Sequence, residues 1–282
     1  MSNTRKHNKM ILTYILLVGV GLMIIYPFLW MVGASFNDSY SLKVTANIFP
    51  ANPSMNGYIN GWKGGGMYTF GTYFKNTYYY VVMKVLFTIF SSIITAYGFS
   101  RFQFPFKRPL FSILIGTLLF PSVVVIVPMY VMFAKLGWVD TYAPMLAPAL
   151  FAGDTYFVYL LIQFFRSIPR DMDEAAMIDG CGPVSRLIRI LLPMIKPAVI
   201  TAILFQFIWT GNDFLYPMIF LSTESKFPVS VGLKMFLDTS GALIAWANIF
   251  AMSVLAILPP LIVFLFAQRT FVEGISTSGI KG

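Results

Sequence analysis

The sequence predicts an all-α membrane protein with six transmembrane helices and a cytoplasmic helix–bend–helix elbow between the fourth and the fifth. Composition gives the first reason. Of 282 residues, 57% are hydrophobic and only 11% charged, against about a quarter charged in soluble chains, and the mean hydropathy is +0.74; such a chain is solvated by lipid. Segment length gives the second. Ile11–Phe36, Thr77–Phe99, Leu110–Ala134, Ala198–Ser222 and Gly241–Ala267 each supply the roughly 20 apolar residues that cross about 30 Å of hydrocarbon. Tyr142–Phe165 reads as another span, broken or bent by Pro144, Pro148, Gly153 and Asp154. Charge asymmetry is the third reason. With six spans, Arg5, Lys6, Lys9, Arg101, Lys107, Arg108, Arg166, Arg170, Arg186, Arg189, Lys196, Arg269 and Lys281 fall on one side, and only Lys43, Lys63, Lys75, Lys135, Lys226 and Lys234 on the other. Both termini are therefore expected in the cytoplasm. The net charge of +9 reflects that asymmetry and attraction to anionic lipid, and gives no reason to expect nucleic acid.

Taken in order, 1–36 is expected to hold the cytoplasmic N-terminus and first helix. Its apolar run is longer than a signal-peptide core, and no Ala-x-Ala site ends it. Residues 37–73 form an external loop rich in Asn, Gly, Pro and aromatics, with Trp62 and Tyr78-Tyr79-Tyr80 expected at headgroup level. A five-helix core follows over 74–268, and 269–282 is a cytoplasmic tail. Pro121 and Pro128 in the third span, Pro217 in the fifth and Pro259-Pro260 in the sixth should kink their helices.

The loop 166–197 is too polar to cross a bilayer and too apolar for a solvated loop. Ser167 is expected to cap a helix with Pro169 in its first turn; Asp171, Asp173 and Glu174 would then favour the positive end of its dipole. Gly180 ends that helix, Gly182-Pro183 reopens the chain, and Val184–Leu192 forms a second amphipathic helix with Leu187, Ile190 and Leu191 on one face. Ala175 and Ala176 would let a partner's surface come close, with Glu174 at the rim. Pro193 and Pro197 would stiffen the connection to the next span. Two readings stand side by side: a surface gripped by another protein, or a segment lying on lipid headgroups.

Candidate chemistry inside the spans is sparse. Asn212 and Asp213, loosened by Gly211 and Pro217, are the best polar site; they would line a solute path or make a structural hydrogen bond to a neighbouring helix. Asp154 and Lys84 are weaker candidates, Lys84 being able to snorkel outward. His7 is the single histidine and Cys181 the single cysteine, so the chain has no material for a His-based metal site or triad, or for an intrachain disulfide. No metal and no catalytic residue are expected. A membrane enzyme would need paired carboxylates or a nucleophile within the spans. A stand-alone secondary transporter would show inverted repeats and several intramembrane ionisable groups, and would leave the elbow unexplained.

Glu174-Ala175-Ala176, Gly180 six residues after the glutamate, and Ile190, Leu192 and Pro193 resemble the signature loop of binding-protein-dependent ABC importer permeases. Ile168-Pro169 with Ile178-Asp179-Gly180 is similar to the carbohydrate, MalG-like subfamily. Asn76-Thr77, Tyr97–Phe102, Pro121 through Tyr130, Lys135-Leu136-Gly137, Trp209 with Asn212-Asp213-Phe214, and Phe271-Val272-Glu273-Gly274 through Lys281-Gly282 extend the likeness from about Phe70 to the end. Cys181-Gly182-Pro183 departs from the commoner Ala-Ser. The resemblance implies a non-catalytic permease subunit, paired with a second, MalF-like permease, two ATPase subunits and an extracellular or periplasmic solute-binding protein. ATP and magnesium would be held by the ATPases, since this chain has no Gly-x-x-x-x-Gly-Lys-Ser/Thr loop. It further implies that the elbow couples to the ATPase and that Phe271, Glu273 and Gly274 in the tail contact it. The expected cargo is an oligosaccharide, with a glycerol-phosphate-type or acidic sugar solute as alternatives.

Overall fold

The computed structural model describes residues 2–37, 48–50, 52–239 and 245–279, with side chains for those from 10 to 237 and from 245 to 268. Among the described residues all regular structure is helical. In chain order the helices are α1 (Ser2–Ser35), α2 (Asn56–Trp62), α3 (Phe70–Arg101), α4 (Lys107–Leu118), α5 (Ser122–Lys135), α6 (Ala143–Leu150), α7 (Thr155–Ser167), α8 (Asp171–Ile178), α9 (Pro183–Arg186), α10 (Leu192–Met194), α11 (Lys196–Gly211), α12 (Leu215–Phe220), α13 (Val229–Thr239) and α14 (Trp246–Gly279). A π-helical turn, Leu187–Leu191, joins α9 to α10, and a 3₁₀ turn, Glu224–Lys226, precedes α13. The chain divides into two compact units: Met1–Gly71 with Gly232–Leu258, and Thr72–Val231 with Pro259–Gly282.

Four segments are long and apolar enough to cross a membrane: Met10–Ser35, Phe70–Arg101, Ala143–Ser167 and Trp246–Gln268. Two bent pairs, α4 with α5 at 105° and Pro183–Met194 with α11 at 80°, raise the number to six if each is one span. The third expected span is thus sharply broken rather than kinked. Pro121 is extended (φ −61°, ψ 122°) and begins α5; it lacks an N–H, and it pushes the residue before it out of the helical region. Pro128, by contrast, stays inside α5, and Pro259-Pro260 inside α14. The expected fifth span, Ala198–Ser222, is also interrupted: α11 stops at Gly211 and α12 starts at Leu215, leaving Asn212-Asp213-Phe214 between them. The fourth breaks as expected, at Phe151–Asp154 between α6 and α7.

In the first unit the expected irregular loop contains a helix, α2, and Tyr58 of α2 hydrogen-bonds Ser35 at the end of α1 (2.8 Å). Gly57 lies so close to the Ser35 and Ala247 carbonyls that a Cβ would come within 2.8 Å of each. The helix of the second span begins at Phe70, ahead of the expected Thr77.

In the second unit, Ala96 and Tyr97 of α3, Val158, Leu161, Ile162 and Phe165 of α7, and Leu191, Ile195 and Ala198 from the approach to α11 form one buried cluster. In lipid such helices are held by close packing of this kind and not by removal of apolar surface from water. This cluster seats the 166–197 segment on the ends of α3 and α7.

Candidate functional site

The elbow is present as a helix–bend–helix. Asp171, Asp173 and Glu174 occupy the first turn of α8, where the dipole favours negative charge. Its end is a Schellman turn. Gly180 takes φ +77°, the Cys181 N–H donates to the Ala176 carbonyl (2.9 Å) and the Gly180 N–H to that of Met177 (3.0 Å). Gly182 is extended and Pro183 opens the second limb. Three expectations need correction. Ser167 does not cap α8: it is the last residue of α7, its hydroxyl donating back to the Phe164 carbonyl, and α8 starts after Arg170. The second limb is not one α-helix, since its middle, Leu187–Leu191, is π-helical. Ala176 is buried (4% exposed) and packs inward, so of the two alanines only Ala175 is open to a partner.

Leu191 is fully buried while Leu187, Ile190 and Leu192 are half-buried, as an inward apolar face requires. The outer face carries Glu174, Asp179, Gly180 and Pro193 together with bare apolar side chains: Met172, Met177, Ile178 (87% exposed), Val184 (69% exposed) and Ile188. Exposed clusters of that kind mark contact surfaces. The α8 helix has no lysine or arginine, whereas helices that lie on headgroups are rich in them. The second limb, by contrast, carries Arg186 and Arg189.

Within the spans the structure brings Asp154, Asp213 and Lys84 to one face of α3. Tyr80, Lys84 and Thr88 stand four residues apart and so share that face. The Thr88 hydroxyl and the Gln206 amide (3.4 Å) donate to Asp154 Oδ2, and Lys84 Nζ lies 3.9 Å from Asp154 Oδ1. Tyr80 donates to Asp213 Oδ2 (2.9 Å), the Tyr216 N–H to Asp213 Oδ1 (3.2 Å), and the Ser230 hydroxyl to the Asp213 carbonyl (2.7 Å). Each aspartate sits at a helix break, where freed backbone needs partners. The Ser91 hydroxyl serves the α6–α7 break by donating to the Ala149 carbonyl (2.6 Å).

Lys84 is thus held in an intramembrane ion pair instead of snorkelling. Tyr80 is 1% exposed, packed inside the protein and not on its surface, whereas Tyr79 is 53% exposed. Asn212 is exposed beside the half-buried Asp213. The i, i+4, i+8 spacing of Tyr80, Lys84 and Thr88, and a glutamine at 206 in an apolar run, were the available signals for this cluster.

On the side predicted to be external, Asp140 clasps the segment before α13. Its carboxylate accepts from Lys226 Nζ (2.7 Å), the Thr223 hydroxyl (2.6 Å) and the Ser222 and Thr223 N–H groups (2.9 Å each). The Lys226 ammonium and then the Thr223 hydroxyl hold this carboxyl well below the usual carboxylate range. Asn76 and Thr77 join the clasp, Asn76 through the Ser225 and Phe227 carbonyls and Thr77 through the Val229 N–H. Phe271, Glu273 and Gly274 lie on the helical backbone of α14, their side chains outside the described residues, as are Lys281 and Gly282 entirely. Among the described residues no group of His, Cys, Asp and Glu could hold a metal ion.

Comparison with known proteins agrees with this architecture. The chain is 30% identical over 259 residues to the probable ABC transporter permease protein YurM of Bacillus subtilis, covering 92% of this chain and 84% of that one. It is 28% identical over 271 residues to the trehalose/maltose transport system permease protein MalG of Thermococcus litoralis, covering 95% and 96%. Its fold matches a chain in the crystal structure of a bacterial ABC transporter that imports the acidic polysaccharide alginate, with a TM-score of 0.81 at 24% identity over 96% of this chain and 99% of that one. The model of the family "binding-protein-dependent transport system inner membrane component" matches residues 88–272, and the chain belongs to that family.

Proposed function

We propose that this chain is one permease half of an ABC importer that carries a carbohydrate, an oligosaccharide by first expectation, inward across the cytoplasmic membrane. The observation that carries the reading is the elbow: an inward face rooted in the core and an outward face of Glu174, Ala175 and bare Met172, Met177, Ile178 and Val184. Such a knuckle fits a groove on an ATPase subunit, and its second limb runs through Ile195 into α11, so a push on it reaches a spanning segment. The chain does no chemistry of its own; ATP and magnesium belong to two partner ATPases, whose closing and resetting would drive the spans between outward- and inward-open arrangements. A second permease would complete the path, a solute-binding protein would deliver the cargo, and the Phe271–Gly274 stretch of α14 would reach the ATPases. Both termini face the cytoplasm in this reading.

Asn212, Asp213 and Asp154 are the proposed polar wall of the path. The cluster holds two carboxylates against one ammonium, Lys84, which suits the neutral hydroxyls of a sugar better than a glycerol phosphate or an acidic sugar. Relatives are named for both kinds of cargo, trehalose/maltose in one and sn-glycerol-3-phosphate in another, so the neutral assignment rests on the charge of this cluster alone.

The test is co-purification and uptake. The ATPase should co-purify with the wild-type chain and be lost on Glu174→Lys or Ile178→Asp, and vesicles loaded with ATP should take up a neutral oligosaccharide supplied with its binding protein. Uptake by the chain with no ATPase present would sink the proposal, and preferential uptake of a sugar acid or glycerol phosphate would overturn the cargo assignment.

A further inference from the structure

Both limbs of the elbow are tied to one place, the last turn and a half of α3. Arg101 Nε lies 3.2 Å from Asp173 Oδ2 on the first limb, with the two side chains only 7% and 9% exposed. The same guanidinium donates through Nη2 to the Ile168 carbonyl (3.1 Å), just ahead of that limb. One turn earlier, the Tyr97 hydroxyl donates to the Pro183 carbonyl, the first residue of the second limb (3.0 Å). Neither oxygen of Asp173, nor the Arg101 Nε that faces it, has a hydrogen-bond partner, so the contact is a charge pair in which the guanidinium neutralises a buried carboxylate. Asp173 is buried while its neighbour Glu174 is exposed. One turn of helix therefore presents one acid outward and one inward.

The other end of the tie matters as much. α3 is the helix whose Tyr80, Lys84 and Thr88 hold Asp213 and Asp154 at the two intramembrane breaks. One rigid helix thus contacts the elbow at its end and both breaks along its length. We infer that the Arg101–Asp173 pair is a lock that makes the elbow and α3 move as one body, so that a stroke on the elbow reaches the α6–α7 and α11–α12 breaks through α3 as well as through α11. The inference rests on the coupling reading above and adds positioning residues to it: Arg101, Asp173 and Tyr97 touch neither ATP nor cargo. A buried pair gives little net stability against an apolar pair of similar volume, yet breaking it from one side leaves a stranded charge. Stability and transmission can therefore be separated.

The experiment uses the assembled importer in vesicles and reads three quantities: ATPase retained, ATP hydrolysed, and cargo carried per ATP. Arg101→Asp and Asp173→Arg each should cut cargo per ATP at least ten-fold, and the double exchange should return it to within about three-fold of wild type. The apolar pair Arg101→Met with Asp173→Leu removes the charges without stranding either; it should assemble and hydrolyse ATP, but carry at least ten-fold less per ATP. The near-isosteric Asp173→Asn, which keeps the packing, should lose about three-fold. An apolar pair or an Asp173→Asn variant that transports at the wild-type ratio overturns the lock. So does a variant that sheds the ATPase, because the pair would then shape the docking face and not transmit from it. If the wild-type chain itself retains no ATPase, the coupling reading fails first, and that outcome is distinct from all of these.

Discussion

Replacing Gly180 separates two reasons for a glycine at the elbow's bend. Its φ of +77° lies in the left-handed region, and the Schellman bonds from Cys181 to Ala176 and from Gly180 to Met177 depend on that conformation. A Cβ added there meets nothing within 4 Å in this chain, so Gly180→Ala has no internal clash and only the backbone opposes it. That opposition is about 1 kcal/mol for an alanine, and asparagine, which visits this region far more readily, should cost a few tenths. If the bend must stay in place for the elbow to engage, alanine should lower the ratio of engaged to disengaged elbow about five-fold and asparagine hardly at all. The assay is cargo uptake in vesicles holding the full importer, with ATPase retention measured alongside and hydrogen exchange at Cys181 reporting the turn. Equal loss with alanine and asparagine would refute the backbone argument, because a partner surface would then be rejecting any side chain at 180. Full uptake with alanine would show that the turn's geometry does not matter to coupling.

Lys84→Met should leave Asp154 with only neutral donors from Thr88 and Gln206. The pair is partly exposed (18% and 27%), so the cost should be about 1–2 kcal/mol, below that of a fully buried pair; it would be read as a fall of a few degrees in melting temperature that Asp154→Asn reverses in the double variant. The Asp140 clasp should show a defined pH dependence. Its folded carboxyl is held below the ordinary value by Lys226 and Thr223, so its contribution is complete above the unfolded carboxylate pKa of about 4 and is lost as pH falls towards the folded value. The stability difference between wild type and Asp140→Asn should therefore be flat from about pH 5 to 8 and shrink only below about pH 4; thermal melts that show it changing around neutrality would contradict the assignment.

The elbow was legible in sequence because its signals are local. A glycine six residues after Glu174, the acids of the first turn and a proline that reopens the helix act through neighbouring backbone, and the structure places the bend where they put it. The spans were legible for a related reason: length and hydropathy are properties of a segment alone. The breaks were read less well. Pro121 ends a helix whereas Pro128 does not, although both lie in the same apolar run; a proline alone does not say whether its helix stops or only bends.

What the sequence determined by itself is the class of protein, the position of the bend and the outward acid Glu174, all consequences of local backbone chemistry and lipid solubility, whereas the structure holds four unbroken candidate spans and two bent pairs. Only the tertiary structure decided which polar residues meet. Arg101 reaches Asp173 across 72 positions, Tyr80 reaches Asp213 across 133, and Asp140 holds Lys226 across 86. A charge buried in a bilayer protein must find a partner, but the hydrophobic pattern that drives the helices together does not say which one. That choice is made by how the helices pack around α3.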